Sequence, residues 1–595
     1  MTDVTLRVLV SLSRMSVLVA FLGILLHLAG WIQPASSSST SPPQVKLRNG
    51  TYEGIYSAQF DQHFFLGIPY AQDTGGRNRF RVPQPLDTRW TGVRLATNYS
   101  HACPGATPDG DDQYGMSENC LSINIVRPAH IRQAATAKLP VMLYIHGGSY
   151  QMGFSSWDRY NLSFIVQHSV VIDQPVVAAT INYRKAGWGF LNSDEIQASG
   201  NTNLALRDMR QALRWVQENI ASFGGDPERV TIWGESSGSF AVGQLLLSYG
   251  GRTDGLFHAT IQESGSATTA WYNGTDWYQP IYNKLVVKAN CSHHTDTLEC
   301  LRAVPYSSLY PLLSGPGAPK FYPTVDGDIV PDFPTTLLKE GRFAHMPHIL
   351  GTNSDEGTDN APRTISTDAQ LRSLLTHSGY HYPPAVIDAL LSLYPDDPAV
   401  GVPLNTPNET FHEYGRQYKR VAAILGDLYY HAPRLHDARH YARHEPDRTY
   451  VYRFNTRAWV PPPPATHANF SVGTACRDRS VESCGALADP REGVAHATEL
   501  AFVFGNPRWC GPWLGYRELN RKMMTMWINF AYHGSPNGIA ERGTGVVWPP
   551  YVSGGEEGRN MVLQTEEKGG CFVEADIFRL KGRELLTKWA FRRHV

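Results

Sequence analysis

The sequence predicts an α/β fold, with a mostly parallel central sheet flanked by helices on both faces. Three observations predict it. Residues 139–145 and 176–183 are continuous apolar runs of β type, as strands covered on both faces are. Between that second run and the next strand, residues 204–220 carry Leu206, Met209, Leu213, Val216 and Ile220 at helical spacing. The following strand, Val230-Thr231-Ile232-Trp233, passes through Gly234-Glu235-Ser236-Ser237-Gly238 into a helix-compatible run at 240–247. Strand–helix–strand alternation with long connections implies parallel pairing, because a tight turn can join only antiparallel neighbours.

The remaining chain fits around that centre. Residues 44–70, with alternating Tyr52, Ile55 and Phe60 and the end Phe65-Leu66-Gly67-Ile68-Pro69-Tyr70-Ala71, read as antiparallel edge strands. Phe223-Gly224-Gly225-Asp226-Pro227 stops the 204–220 helix and leads into the next strand. The middle, roughly 275–440, is richer in helix and loop. Pro461 to Pro464 and residues 472–495 read as irregular. There are no repeats, no glycine-rich phosphate loop and no dinucleotide fingerprint.

Composition bounds the function. Across 595 residues, 42% are hydrophobic and 18% charged, with ample material for a core. A net charge of −1 gives no electrostatic case for nucleic acid as partner. Arg7 and Arg14 precede an apolar run at 17–31, followed by Pro34-Ala35-Ser36. This reads as a secretory signal peptide over 1–35, a Ser/Pro-rich linker over 36–44, and one domain over 45–595. The alternative is an uncleaved signal anchor; His27 inside the run and the Ser/Thr/Pro stretch after it favour cleavage. No later segment is apolar for long enough to span a bilayer. Eight cysteines suit an oxidising compartment. Sequons begin at Asn49, Asn98, Asn161, Asn273, Asn290, Asn408 and Asn469, as in a secreted glycoprotein.

Gly234-Glu235-Ser236-Ser237-Gly238 is the stretch with chemistry in it. A strand–turn–helix context places the middle serine at a sharp turn with its hydroxyl clear of the sheet. Gly234 and Gly238 leave room where a Cβ would clash, and the next helix turns its positive end toward Ser236. Three other segments bear on it: His146-Gly147-Gly148-Ser149 after a strand, Gly351-Thr352-Asn353-Ser354-Asp355-Glu356-Gly357-Thr358 after another, and Gly493-Val494-Ala495-His496-Ala497-Thr498-Glu499.

In this order, together with Arg79-Phe80, Ser117-Glu118-Asn119-Cys120-Leu121, Asn182-Tyr183-Arg184, Pro323-Thr324-Val325-Asp326-Gly327 and Trp548-Pro549, these segments resemble the type-B carboxylesterase and cholinesterase family of α/β-hydrolases. The resemblance runs from about residue 45 to the C-terminus, and the wording is most like the fungal secreted members. It implies an α/β-hydrolase fold and carboxylic ester hydrolysis without cofactor or metal. Ser236 would be the nucleophile, His496 the general base and acid, and Glu356 the carboxylate that orients it. The chemistry needs these types: a serine hydroxyl attacks only when a base takes its proton, and histidine titrates near neutrality.

The resemblance further implies an oxyanion hole from the backbone amides of Gly148, Ser149 and Ser237. The family often has glycine at Ser149 and usually alanine at Ser237, so both are departures. Glu235, Ser264 and Glu499 match positions beside the triad, Trp271 an acyl-pocket aromatic, and Arg79 with Glu118 a structural ion pair. Cys103–Cys120 and Cys291–Cys300 match the family's first two disulfides; Cys476–Cys484 and Cys510–Cys571 complete one pairing among the many that eight cysteines allow. His436, His440 and His444 share a helix face at a spacing that could hold zinc. With no carboxylate or cysteine to complete a set, they read as a solvated face.

The reading is therefore a secreted serine esterase acting on a small-molecule ester through an acyl-serine, without stable membrane insertion after signal cleavage. Two alternatives stand beside it. One is an extracellular lipase acting on acylglycerols. The other is a non-catalytic cholinesterase-like binding protein, which the presence of all three triad residues disfavours. Between Cys103 and Cys120 there is no Trp to hold a quaternary ammonium, so a cholinesterase is not expected. That loop carries Asp109, Asp111, Asp112 and Glu118 but only Tyr114 and Met116 as large apolar side chains, which is poor material for a lipase lid.

Overall fold

Hydrophobic alternation sorts the two faces of the central sheet. In the computed structural model, which describes residues 42–106, 115–130, 138–377, 381–461, 486–538, 545–552 and 558–590, Leu139, Val141, Leu143 and Ile145 face one apolar core. Met142 and Tyr144, between them, face the other. A strand with both faces buried has no polar face, hence the unbroken apolar run.

Among the described residues, the sheet has 11 strands. In chain order they are β1 (Ile55–Ser57), β2 (Gln62–Pro69), β3 (Ser122–Pro128), β4 (Leu139–Ile145), β5 (Val177–Ile181), β6 (Gly225–Glu235), β7 (Ala259–Glu263), β8 (His348–Asn353), β9 (Thr449–Phe454), β10 (Arg559–Leu563) and β11 (Phe572–Ala575). Across the sheet the order is β11-β10-β9-β8-β7-β6-β4-β5-β3-β2-β1. Strands β4 to β10 run parallel, and the two flanks are antiparallel. This is the architecture of an α/β-hydrolase. Of the expected edge strands, 55–57 and 62–69 join the sheet, whereas Thr51–Glu53 pairs with Gln44–Lys46 on one side and Val93–Leu95 on the other in a separate small sheet.

Helices α1 (Leu204–Asn219) and α2 (Ser237–Leu247) cover the first face, with Leu213, Val216, Val242 and Leu246 in its core. The second face is covered by α3 (Leu514–His533), whose Trp527 is fully buried. A third apolar cluster, built from Leu371, Leu390, Val421 and Ile424 among others, gives the region after β8 its own core.

Disulfides join Cys103 to Cys120 and Cys291 to Cys300. The expected Cys510–Cys571 bond is absent: both are thiols. Each is satisfied locally, Cys510 Sγ against Ala501 O at 2.7 Å and Asn520 Nδ2 at 3.3 Å, and Cys571 Sγ against Gln564 O at 3.6 Å. Cys476 and Cys484 lie outside the described residues. So do the leader at 1–35, most of the linker, Asn469, and 107–114 of the loop weighed as a lid. Among the described residues, no helix is long and apolar enough to cross a membrane. Arg79 and Glu118 form a two-pronged pair at 2.6 Å.

Candidate active site

The C-terminal ends of β6, β4 and β8 bring the expected residues together. At the end of β6 the chain turns into α2 through Ser236, at φ 55° and ψ −126°. A non-glycine residue there carries roughly 1–3 kcal/mol of strain, which persists only where the surroundings impose it. They do. A Cβ on Gly234 would lie 2.5 Å from the Gly238 carbonyl carbon, and one on Gly238 would lie 2.0 Å from Ile145 O. Only glycine at both positions lets the turn close against β4. Ser236 N–H donates to Glu263 O at 3.0 Å, tying the turn to the end of β7.

Beyond β4, the segment His146–Tyr150 bends over this turn. Gly148 sits at φ 110°, where a Cβ would meet Met152 O at 2.4 Å; Ser149 and Tyr150 follow at φ 56° and 61°. Ser149 thus adopts the conformation that favours the family's glycine. Among the described residues, the amides of Gly148 and Ser149 make no backbone hydrogen bond. Ser237 is the first residue of α2, so its N–H has no intrahelical acceptor. The Ser237 hydroxyl, which the family's alanine would lack, accepts from Tyr150 N–H at 3.0 Å. Tyr150 O–H in turn donates to Gln244 of α2 at 2.7 Å. The departure at 237 therefore pins the amide-bearing loop to the helix that follows Ser236.

His496 Nδ1 lies 2.7 Å from Glu356 Oε2, and Glu356 Oε1 accepts from Asn353 N–H at 2.7 Å. His496 Nε2 lies 3.2 Å from Glu235 Oε1, and no hydrogen bond joins it to Ser236 Oγ. Unliganded hydrolase sites commonly hold this contact long. The Tyr430 ring packs on the imidazole, centroids 4.6 Å apart. Ser264 Oγ donates to Glu499 Oε1 at 3.1 Å, and Asn353 Nδ2 to Glu499 Oε2 at 2.6 Å. Glu263, which was not singled out from sequence, joins the group and accepts from Trp527 Nε1 at 2.7 Å.

These buried carboxylates set the electrostatics. Burial is the largest influence on each and opposes ionisation. In Glu356 the His496 charge and the accepted hydrogen bonds outweigh it, holding the carboxyl below its usual range. In Glu235, Glu263 and Glu499 burial wins, with mutual repulsion, and pushes all three up. Burial pulls His496 down, but Glu235 and Glu356 more than reverse it and push the imidazole up.

A cavity of about 970 Å³ opens over Ser236. Trp271, expected as an acyl-pocket aromatic, lines it, and so does the sequon asparagine Asn273. Tyr322, Phe240, Trp277, Tyr430 and Lys320 also line it; their positions far apart in sequence hid them. Tyr430 arrives through one wide helical turn at Asp427–His431, which re-aims the side chains before the helix Ala432–His444 continues. His436, His440 and His444 lie on that helix, away from the cavity lining. A carboxylate does stand beside them: Asp437 Oδ1 is 2.9 Å from His436 Nδ1. Among the described residues, no group of three ligand-type side chains could hold a metal. Of the sequon asparagines, Asn98, Asn290 and Asn408 are exposed, while Asn49 and Asn161 are half-buried.

A model of the carboxylesterase family matches residues 41–576. The chain belongs to the carboxylesterase family. This carboxylesterase-family protein is a carboxylic ester hydrolase, as its relatives are. Lipase 4 of Diutina rugosa is 32% identical over 92% of this chain and 96% of its own length. A secreted triacylglycerol lipase of Gibberella zeae is 31% identical over 93% of this chain and 91% of its own. The crystal structure of EstA from Aspergillus niger is similar at a TM-score of 0.76 and 26% identity, covering 94% of this chain and 100% of EstA.

Proposed function

We propose that this carboxylesterase-family member is a secreted serine esterase that works through an acyl-Ser236 intermediate. The supporting observation is the juxtaposition at the sheet's C-terminal edge: Ser236 on a strained turn, and an imidazole held to a buried carboxylate at 2.7 Å. Ser236 Oγ attacks the ester carbonyl carbon as its proton passes to His496 Nε2. The carbonyl oxygen becomes an oxyanion facing the amides of Gly148, Ser149 and Ser237, where preorganised donors stabilise developing charge. The intermediate collapses as His496 protonates the departing alcohol. Water, deprotonated by the same nitrogen, then cleaves the acyl-serine. Glu356 holds the tautomer that leaves Nε2 free to accept, and offsets the imidazolium charge. Before attack, the Ser236 hydroxyl must displace Glu235 from Nε2, whose Oε1 lies 3.2 Å away.

Soluble esters are the proposed substrates, ahead of the acylglycerols that the relatives' names indicate, because the acidic Cys103–Cys120 loop offers an oil surface little apolar area. Ser236→Ala is expected to remain folded and lose hydrolysis by about 10⁴-fold or more. A radiolabelled organophosphate should modify Ser236 alone, and stoichiometric label on Ser237 would overturn the assignment. A rate that jumps where a short triglyceride forms droplets would favour the lipase reading.

A further inference from the structure

The wall of the cavity differs from what a fatty acyl chain would select. Its apolar surface comes mainly from rings: Phe240 next to the elbow, Trp271, Trp277, Tyr322 and Tyr430. Ile281 is the only branched aliphatic residue among the described lining. Trp271 and Tyr322 lie 6.4 Å apart with planes tilted by 31°, nearly side by side. Flat faces reward a flat guest, since ring pairs gain attraction beyond the area they bury. A space of about 970 Å³ is also far larger than a short acyl ester needs.

Charge at the mouth points the same way. No carboxylate lines the cavity among the described residues, yet Lys320 does, exposed and without an ion-pair partner there. Its position is fixed by its neighbours. Phe321 O accepts from Gln151 Nε2 at 2.6 Å, and Tyr322 N–H donates to Tyr278 Oη at 2.7 Å. Gln151 belongs to the loop that carries the Gly148 and Ser149 amides. The ammonium is thus mounted on a strap tied to that loop. Thr269, Asn273 and Asn360 add polar groups within the same wall.

We propose that the cavity selects esters of aromatic acids or aromatic alcohols that carry a second, negatively charged group, with the ring against Trp271 and Tyr322 and the charge toward Lys320. This rests on Ser236 being the nucleophile, and the experiment separates the two ideas. It uses four esters that cross a phenyl with a cyclohexyl ring, and a remote carboxylate with its methyl amide. Catalysis itself is followed with p-nitrophenyl acetate.

In wild type, kcat/KM should favour phenyl over cyclohexyl by about 10-fold, the size of a ring-stacking gain. Carboxylate should be favoured over amide by roughly 5-fold at low salt, and the preference should fade in molar salt, as a rim charge requires. Trp271→Leu should shrink the first ratio, and Lys320→Met should abolish the second. Equal or inverted ratios in an enzyme that cleaves p-nitrophenyl acetate would overturn the cavity proposal and leave Ser236 in place. If no ester is cleaved, calorimetry of the four compounds with the Ser236→Ala protein decides: ranked binding in the same order supports the cavity, and unranked binding overturns it.

Discussion

Two buried clusters of charge in this protein are built on opposite plans. Around Asp576, every acidic oxygen meets a cation or donor. Arg434 grips it at 2.6 and 3.0 Å, Arg583 at 2.7 Å, and Tyr551 and Asn560 donate at 3.1 and 3.2 Å. Asp427 is likewise forked by Arg579 at 2.7 Å. These partners hold both carboxyls below the usual range although burial, the largest influence, works against them. Around His496, Glu235 and Glu356 reach the imidazole, Glu263 and Glu499 are buried close to them, and no arginine or lysine forms an ion pair with the four among the described residues. The first cluster is electrically closed and holds the fold. The second is short of positive charge, and the deficit raises the affinity of its histidine for a proton, which a general base uses.

The largest expected effect tests the one carboxylate of the second cluster that is held below its usual range. Glu356→Gln keeps the shape and removes the charge, and kcat should fall by about 10⁴-fold with the melting temperature nearly unchanged. Near-normal turnover would remove Glu356 from the reaction. Arg434→Met breaks the closed cluster and leaves Asp576 short of a partner; urea unfolding should show a loss of roughly 3–5 kcal/mol. The folded fraction should keep its specific activity, and a loss of activity without destabilisation would erase the distinction between the clusters.

Glu235→Gln is expected to act on pH rather than on fold. The base must be neutral, so the rate rises with pH through the His496 titration. That titration is pushed above the ordinary 6.5, so the acid limb of kcat/KM should lie above 6.5 in wild type. Removing one of the carboxylates that raise it should move the limb down, and a limb that stays or moves up would show that Glu235 does not feel His496. The smallest effect belongs to Glu263. Burial, with Glu499 and Glu235 nearby, pushes its carboxyl well up, toward the neutral form that an amide resembles. Glu263→Gln should change stability by less than about 1 kcal/mol. A larger loss, seen by calorimetry, would mean that Glu263 is ionised in the folded protein.

How much of this was legible before folding depends on the range of the interaction. The Ser236 turn is local: glycines at 234 and 238, a β-type run before and a helical run after describe it within a few residues. The unbroken apolar run at Leu139–Ile145 announced a strand covered on both faces, and the sheet has one there. Glu356 and His496 were singled out because their segments are worded like a family's. Glu263, one residue from the singled-out Ser264, gave no sign, because nothing in sequence says that it shares a buried site with Glu499. The Cys510–Cys571 bond failed for the same reason: pairing is a matter of distance, and a thiol can be satisfied within ten residues of itself.

The sequence by itself determined the strand–helix alternation around the elbow, the backbone of that turn and the kinds of residue available for ester chemistry, since all of these follow from steric and periodic rules acting over a few neighbours. The tertiary structure alone decided which charges meet, which cysteines do not, and which rings wall the cavity. Phe240, Trp271, Tyr322 and Tyr430 come from segments spread over nearly two hundred residues. Only the packing of helices and loops on the sheet brings them to one place, because burial and Coulomb attraction act between atoms in space, whatever their separation along the chain.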